Sequence, residues 1–422
     1  MPDMITDSDA HYAFDIVKTI CTEVGPGLPA SPQERARAAI IAKELESHLG
    51  AENVAVEEFT VAPGASLSPY PGALSLILAA LLNIAIDRFA GAPPWLTAVP
   101  ALLFSIFSPA LFIFEFYLGR ELIDPLFKKK QSVNVIGTLR RPEARNVKRL
   151  LILSGHHDSA PENTCIRFLG YGFFFLSTTY FIGLMTMLVM SIIQLAGVIA
   201  GNAGLVRAGT LGWVLLVYPI VPSIIFALFV NRGRKGGGIV PGAVDNLSGS
   251  ALAVAMCRFL AKNPSCIPAD TEIRFISFGS EEAGLRGSRR YVERHLDELK
   301  RLDARLLNFE TIAHPEIIIL TSDVNGTVKN SPEMVKSVVA AAERAGVPYK
   351  VQSAVLGEGS DAGSFSQAGL KALALLLFKV PQQMVAFYHQ KWDGPEVLTI
   401  EPLLNVLKLT FEWIRNGGEG ER

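Results

Sequence analysis

Four long, almost chargeless stretches limit this chain more than any other feature. They run from about Tyr70 to Ile86, Trp95 to Leu118, Phe168 to Ala200 and Thr210 to Val230. A helix that crosses the hydrocarbon core of a bilayer needs about 20 apolar residues, so the reading is four membrane spans in two hairpins. "DRFAGAPP" turns the first pair and "GNAGLVRAG" the second, and Pro100 and Pro109 interrupt the second span. Charged residues make up 19% of the chain and hydrophobic ones 50%, below the ~25% charge of ordinary globular proteins. The spans carry almost no polar side chains beyond Glu115 near one end, which argues against a transporter. Arg120, Lys128, Lys129, Lys130, Arg167, Arg232, Arg234 and Lys235 flank the polar segments, and only Arg88 and Arg207 lie in the far turns. That asymmetry places the polar domain in the cytoplasm of a multi-pass membrane protein.

The remaining composition excludes several classes. A formal net charge of -1 leaves no electrostatic footprint for nucleic acid. Cys21, Cys165, Cys257 and Cys266 are scattered and form no C-x-x-C pair, as expected of reduced structural thiols. "MPDMITDSDAHYAFD" has neither a basic n-region nor an apolar h-region, so no cleaved signal peptide is expected.

With the hairpins set aside, segments 1–69, 119–167 and 231–422 read as one interrupted catalytic domain, into which 70–118 and 168–230 are inserted. "SPQERARAAIIAKELESHLG" has a helix start in Ser31, Pro32 and Glu34, a capping-box spacing, and a stop in Gly50. Apolar strand-like runs follow: "VAVEEFTV", "NVIGTL", "RLLILSG", "EIRFISFGS", "RLLNFETI", "EIIILTS" and "KALALLLF". Helical patterns lie at about 243–262, 286–299, 331–345 and 401–415. Such alternation predicts an α/β fold, with a mostly parallel central sheet flanked by helices. Catalytic groups then belong at the carboxyl ends of the strands.

Metal-ligating residue types stand at those ends. "RLLILSG" leads into His156, His157 and Asp158, and "PGAVDNLSG" holds Asp245. "EIRFISFGS" runs into Glu281 and Glu282, "LLNFETI" holds Glu310, and "FYHQKWD" holds His389. A buried strand driven straight into paired carboxylates calls for cations, because burying unpaired carboxylates costs several kcal/mol.

The motifs "HHD", "GAVDNLSG", "EEAGLRGS", "NFETI" and "YHQ", in this order, resemble the co-catalytic di-zinc aminopeptidases, a family that includes glutamate carboxypeptidase-like enzymes and glutaminyl cyclases. The resemblance implies two Zn2+ ions, one held by His156, Asp245 and Glu310 and the other by Asp245, Glu282 and His389, with Asp245 bridging. It implies that Asp158 orients His156, and that Glu281 is the general base acting on a metal-bridging water. The implied activity is that of a metallo-exopeptidase, an aminopeptidase acting on peptides with a free N-terminus. A glutaminyl cyclase-like acyltransferase and a non-catalytic receptor or scaffold are the alternatives. "GEGSDAGSF" resembles a stretch near the family's substrate pocket, which makes Asp361 a candidate substrate-binding residue. His314, just beyond the Glu310 strand, is a second.

Two departures stand out. The family most often has aspartate at the Glu310 position, and the extra methylene shifts the carboxylate by about 1.5 Å. The second hairpin separates His156 from Asp245, where the family has a short loop. The reading is that both hairpins grip the bilayer and that the domain works on peptides at, or released from, the membrane.

Overall fold

The computed structural model describes residues 4–65, 69–86, 93–144, 146–207, 209–232, 240–355, 357 and 359–419. Arg88, Arg234, Lys235 and most of the "DRFAGAPP" turn lie outside the described residues. The chain divides into two compact units. One comprises Met1–Gly64, Asp124–Pro161 and Ile239–Arg422, and the other Ala65–Ile123 and Glu162–Gly238.

Among the described residues, ten strands lie in the first unit: β1 (Val54–Val61), β2 (Lys130–Arg140), β3 (Arg149–His156), β4 (Thr271–Phe278), β5 (Arg305–Ile312), β6 (Ile317–Leu320), β7 (Ser322–Asp323), β8 (Val328–Lys329), β9 (Tyr349–Gln352) and β10 (Lys371–Leu377). Eight form one sheet in the order β1-β2-β4-β3-β5-β10-β6-β9, and β7 pairs with β8 apart from it. The central strands β4, β3, β5 and β10 are parallel; β2 and β6 run antiparallel to them, β1 pairs antiparallel with β2, and β9 pairs parallel with β6. The sheet is therefore mixed, with a parallel centre as expected and antiparallel pairs toward both flanks. Apolar runs carry no direction, and the short link from β5 to β6 reverses the chain because only a longer crossover could keep it parallel.

β4 and β5 are buried along their whole length, as parallel strands covered on both faces must be. The covering helices include Asp7–Glu23, Pro32–Leu49, Ser248–Lys262, Pro332–Ala345 and Ile400–Arg415. The register sets His156 against Phe278 and Ser154 against Asn308. β3, β4 and β5 consequently deliver His156, the Glu281–Glu282 turn and Glu310 to one edge of the sheet.

The second unit is helical. Three of its helices are long and apolar enough to cross a membrane: Trp95–Tyr117, Gly172–Ile199 and Ala203–Ile225. The helix Pro69–Ala85 has 17 residues, which at 1.5 Å per residue gives about 25 Å against a hydrocarbon core of ~30 Å. Among the described residues, three of the four expected stretches thus have a span's length, and the first is shorter. Leu76, Ala79, Ala80, Leu184, Met187 and Leu216 form the unit's core. Leu74, Leu103, Phe175, Leu211 and Leu228 point outward and are more than half exposed.

Polar groups do occur inside this unit, contrary to the sequence reading. Asn83 Nδ2 donates to Ser191 Oγ at 2.8 Å, and Gln194 Nε2 donates to the carbonyls of Asn83 and Val206 at 3.1 and 3.0 Å. Their NH2 groups thus find acceptors across the unit's helices, while Asn83 Oδ1 and Gln194 Oε1 are buried without a hydrogen-bond partner. Glu115 accepts from the Ile123 amide at 2.7 Å.

Candidate metal centre

Two glycines let the ligand-bearing segments meet. A Cβ on Gly155 would lie 2.5 Å from the backbone of Gly249, and one on Gly249 would lie 2.5 Å from the Phe309 carbonyl. Only hydrogen at both positions lets the start of the helix Ser248–Lys262 settle onto β3 and β5. That packing carries Asp245 to His156, whose Nε2 is 3.3 Å from Asp245 Oδ1, 3.6 Å from Glu281 Oε2 and 3.7 Å from Glu310 Oε1. On the other side of Asp245, His389 Nε2 is 3.0 Å from Asp245 Oδ2 and 3.2 Å from Glu282 Oε1.

The ligand atoms thus fall into sets that each converge within 4.8 Å: His156 with Asp245 and Glu310, and Asp245 with Glu282 and His389. His156 also converges with Glu281 and Glu282. His156 Nε2, Asp245 Oδ2 and Glu282 Oε1 are buried, and none makes an aligned hydrogen bond. Short separations without hydrogen-bond geometry mean lone pairs aimed at a common point. Atoms bound tetrahedrally to one ion at ~2.1 Å stand about 3.4 Å apart, the separation found here. The donor set of imidazole nitrogen and carboxylate oxygen therefore fits zinc.

Charge gives a second test of that fit. Burial lifts Glu281 well above the carboxylate range, lifts Glu282, takes Glu310 to about 7, and takes Asp361 and Asp393 to about 8. Burial opposes charge on the histidines too, but Glu281 and its neighbours hold His156 well above its usual value. Glu282 and Asp245 likewise raise His389 to about 10. Burial also penalises the Asp245 carboxylate, yet the two imidazoles outweigh it and hold Asp245 below the usual range. Without a cation the cluster has to borrow protons to lower its negative charge. A divalent ion removes that need.

The supports are as specific as the ligands. Asp158 accepts the Glu281 amide on Oδ1 and the Glu282 amide on Oδ2, both at 3.0 Å. Its backbone carbonyl and Oδ1 lie 3.3 and 3.4 Å from His156 Nδ1, so one residue touches three of the site's side chains or amides. Asn246 Nδ2 donates to the Phe309 carbonyl at 2.7 Å, and Asn308 Nδ2 donates to Glu310 Oε2 at 3.2 Å. Ser280, Thr311 and His389 all adopt positive φ, at 54°, 45° and 50°. Each stands at or beside a candidate ligand or base, where backbone strain concentrates in functional sites.

The remaining candidates separate. Asp361 is fully buried beside the Ser288 hydroxyl, with neither oxygen in an aligned hydrogen bond, and its charge is felt at Glu281. His314 turns away into its own loop, where Nδ1 accepts the Glu316 amide at 3.1 Å. His157 is buried on Ser277 Oγ at 2.8 Å, and burial lowers it to about 4. Three contributors escaped the sequence reading. Asp393 accepts the amides of Val244 and Asp245 at 2.8 and 3.2 Å. Tyr388 stacks on His389 with ring centroids 4.0 Å apart. Glu34 reaches Ser280 from the helix Pro32–Leu49. The spacing of "YHQKWD" held the only hint of Asp393, a lone aspartate four residues beyond the histidine.

Known proteins place the chain as follows. Residues 231–414 match the family model of Peptidase family M28. Aminopeptidase YwaD of Bacillus subtilis is 34% identical over 167 residues, 39% of this chain and 35% of that protein. An aminopeptidase of Pseudomonas aeruginosa is 39% identical over 87 residues, 21% of this chain and 16% of that protein. The chain thus spans about a third or less of the length of the curated relatives it matches. Among solved structures, a zinc aminopeptidase from Bacillus subtilis superposes with TM-score 0.55 at 16% identity, covering 97% of this chain and 95% of that one. A glutaminyl cyclase from Bacteroides thetaiotaomicron gives TM-score 0.55 at 14% identity, covering 99% of both chains. These two share the fold. The segment that carries Asp245, Glu281, Glu282, Glu310 and His389 thus matches Peptidase family M28, in line with the resemblance to the co-catalytic zinc aminopeptidases.

Proposed function

We propose that the protein is a membrane-anchored, zinc-dependent exopeptidase that removes residues from the free amino terminus of peptides. The observation that carries this reading is the pair of ligand sets sharing the buried Asp245, with Glu281 3.6 Å from His156. His156, Asp245 and Glu310 would hold one zinc ion, and Asp245, Glu282 and His389 the other. When bound, the ions supply Lewis acidity and make a water molecule acidic near neutral pH.

Glu281 is the general base. Its carboxylate is buried among acids that raise its proton affinity, as a group that takes and returns a proton near neutrality requires. Asp158 fixes that carboxylate through the backbone and orients His156 from the opposite side of the ring. Asp361, buried where its charge is felt at Glu281, offers a carboxylate that a substrate's ammonium would hold in its charged form. The apolar helices of the second unit, with large outward-facing side chains, support anchoring in a bilayer. Lys128, Lys129 and Lys130 are exposed and support a cytoplasmic catalytic domain.

The test is a mass-spectrometric digest of free and N-acetylated peptides by detergent-purified, zinc-loaded protein, beside Glu281→Gln. Stepwise loss of N-terminal residues from the free peptides alone is expected, with a fall of about 10²–10⁴-fold in the variant. Loss of ammonia from glutaminyl peptides without cleavage would instead establish a cyclase. Zinc-loaded protein inert on every peptide would leave a binding role on the same fold.

A further inference from the structure

The turn that presents Glu281 is held by four consecutive backbone N–H groups, each taken by a buried side chain. Gly279 N donates to Asn134 Oδ1 at 3.1 Å and Ser280 N to Glu34 Oε1 at 2.7 Å. Glu281 N and Glu282 N go to the two oxygens of Asp158. Three elements far apart in sequence thus fix one turn: β2, the helix Pro32–Leu49 and the loop after β3. The turn needs such support. Ser280 sits at φ 54°, a region that L side chains rarely adopt. At Gly279 a Cβ would strike the Val133 carbonyl and stand 2.7 Å from Ser132 Oγ.

Glu34 is the least expected of the three. By sequence it completes a capping box, yet its carboxylate does not return to the Ser31 amide. Oε1 accepts both the amide and the hydroxyl of Ser280, at 2.7 and 2.8 Å. Oε2 accepts the Ala30 amide at 2.8 Å and Ser132 Oγ at 2.9 Å. The residue is 1% exposed. Four donors on one buried carboxylate, two of them from the residue directly before Glu281, are far more than a helix start requires. Glu34 also lies outside the 231–414 segment that matches the peptidase family.

We propose that Glu34 is a positioning residue for Glu281, locking Ser280 in its left-handed conformation so that the next carboxylate is aimed at the ligand cluster. This rests on the reading of Glu281 as the base. Glu34→Gln tests it, because glutamine keeps the shape but puts an NH2 where one oxygen accepted. The amide of either Ser280 or Ala30 then faces a donor.

Two readouts are taken on detergent-purified full-length protein. The first is hydrogen exchange, with and without zinc. Amides 279–282 should exchange at least about 10-fold faster in the variant while β3 and β5 stay protected. The second is kinetics on an N-terminal peptide substrate. kcat should fall by about 10- to 100-fold, the cost of a misplaced group, with KM within about twofold and zinc stoichiometry unchanged. If Glu34→Gln fails to fold, Ser132→Ala removes only a hydroxyl that orients Glu34 and should loosen the same amides less. Unchanged exchange at 279–282 overturns the proposal, as does activity lost only in step with zinc. Should Glu281→Gln remain active, the base reading fails instead, and the exchange data still decide whether Glu34 holds the turn.

Discussion

Asp393→Asn is the sharpest probe of how Asp245, shared by the two candidate ligand sets, is held. Asp393 is fully buried, and its two oxygens take the amides of Val244 and Asp245. Its own carbonyl takes the Ala243 amide at 3.1 Å. Asparagine offers one oxygen and one NH2, so one of the two amides loses its acceptor while the shape is kept. Leaving a buried donor unsatisfied costs about 1–3 kcal/mol. Part of that appears as a displaced Asp245, the residue common to both ligand sets. Independently, removing a partner that orients a metal ligand lowers metal affinity by about 10–100-fold, or ~1.4–2.7 kcal/mol. The two routes agree. A competition titration of zinc against a chromophoric chelator, on metal-free wild type and variant, reads the change directly. A zinc Kd within twofold of wild type, with the variant folded, would refute the reasoning and reduce Asp393 to a loop staple.

Two further outcomes follow from the same geometry. In metal-free protein, Glu310, Asp361 and Asp393 have pKa values of about 7, 8 and 8 against ~4 when unfolded. The native state therefore binds more protons than the unfolded one, and stability falls as pH rises from about 5 to 8. The raised His156 and His389 act in the same direction, since their contribution is full below ~6.5 and is lost toward higher pH. Melting scans should show chelator-treated protein less stable at pH 8 than at pH 5.5, with zinc abolishing the difference; a flat metal-free profile would contradict this. Gly249→Ala places a Cβ 2.5 Å from the Phe309 carbonyl and 2.6 Å from Asn246 Oδ1. Overpacking of this kind costs about 1–3 kcal/mol, and because it parts β5 from the Asp245 segment, zinc affinity should fall together with Tm. An unchanged Tm would show that the backbone gives way there.

The candidate ligand positions other than His389 were legible because each ends a buried apolar strand or sits in a glycine-rich turn, where a carboxylate or imidazole is out of place unless it has chemistry to do. "RLLNFETI" coincides with β5 for the same reason. What escaped was relational. The helix Asp7–Glu23 buries Ala10, Ala13, Ile16, Val17 and Ile20, a helical spacing diluted by polar neighbours. Strand direction in β2, β6 and β9 depends on connections, and an apolar run does not record them. Ser31 and Glu34 have the same spacing whether the glutamate turns back to the cap or reaches to Ser280. In the apolar unit, Asn83, Ser191 and Gln194 stand far apart in sequence, and only helix packing brings them together.

The pins around the second insertion explain how this site tolerates a long interruption between His156 and Asp245. Lengthening a loop roughly tenfold costs only about 2 kcal/mol in closure entropy, so length alone is a minor burden. The harder problem is that the chain must return in register, with Asp245 at the right depth. Arg37 meets that requirement. Fully buried, it donates Nε to the Gly25 carbonyl, and its terminal nitrogens to the carbonyls of His157 and Pro241, at 2.8, 3.1 and 2.6 Å. His157 directly follows one candidate ligand, and Pro241 leads into the turn that carries the other. One guanidinium thus staples the departure of the chain to its return, whatever is inserted between. Charge-assisted bonds of this kind contribute about 1.5–3 kcal/mol each, enough to offset the closure entropy. Lysine, with a single point of charge on a flexible stem, could not span three carbonyls. Arg37→Lys should therefore weaken zinc binding while Glu34 still holds its turn, a separation that hydrogen exchange at residues 279–282 can read.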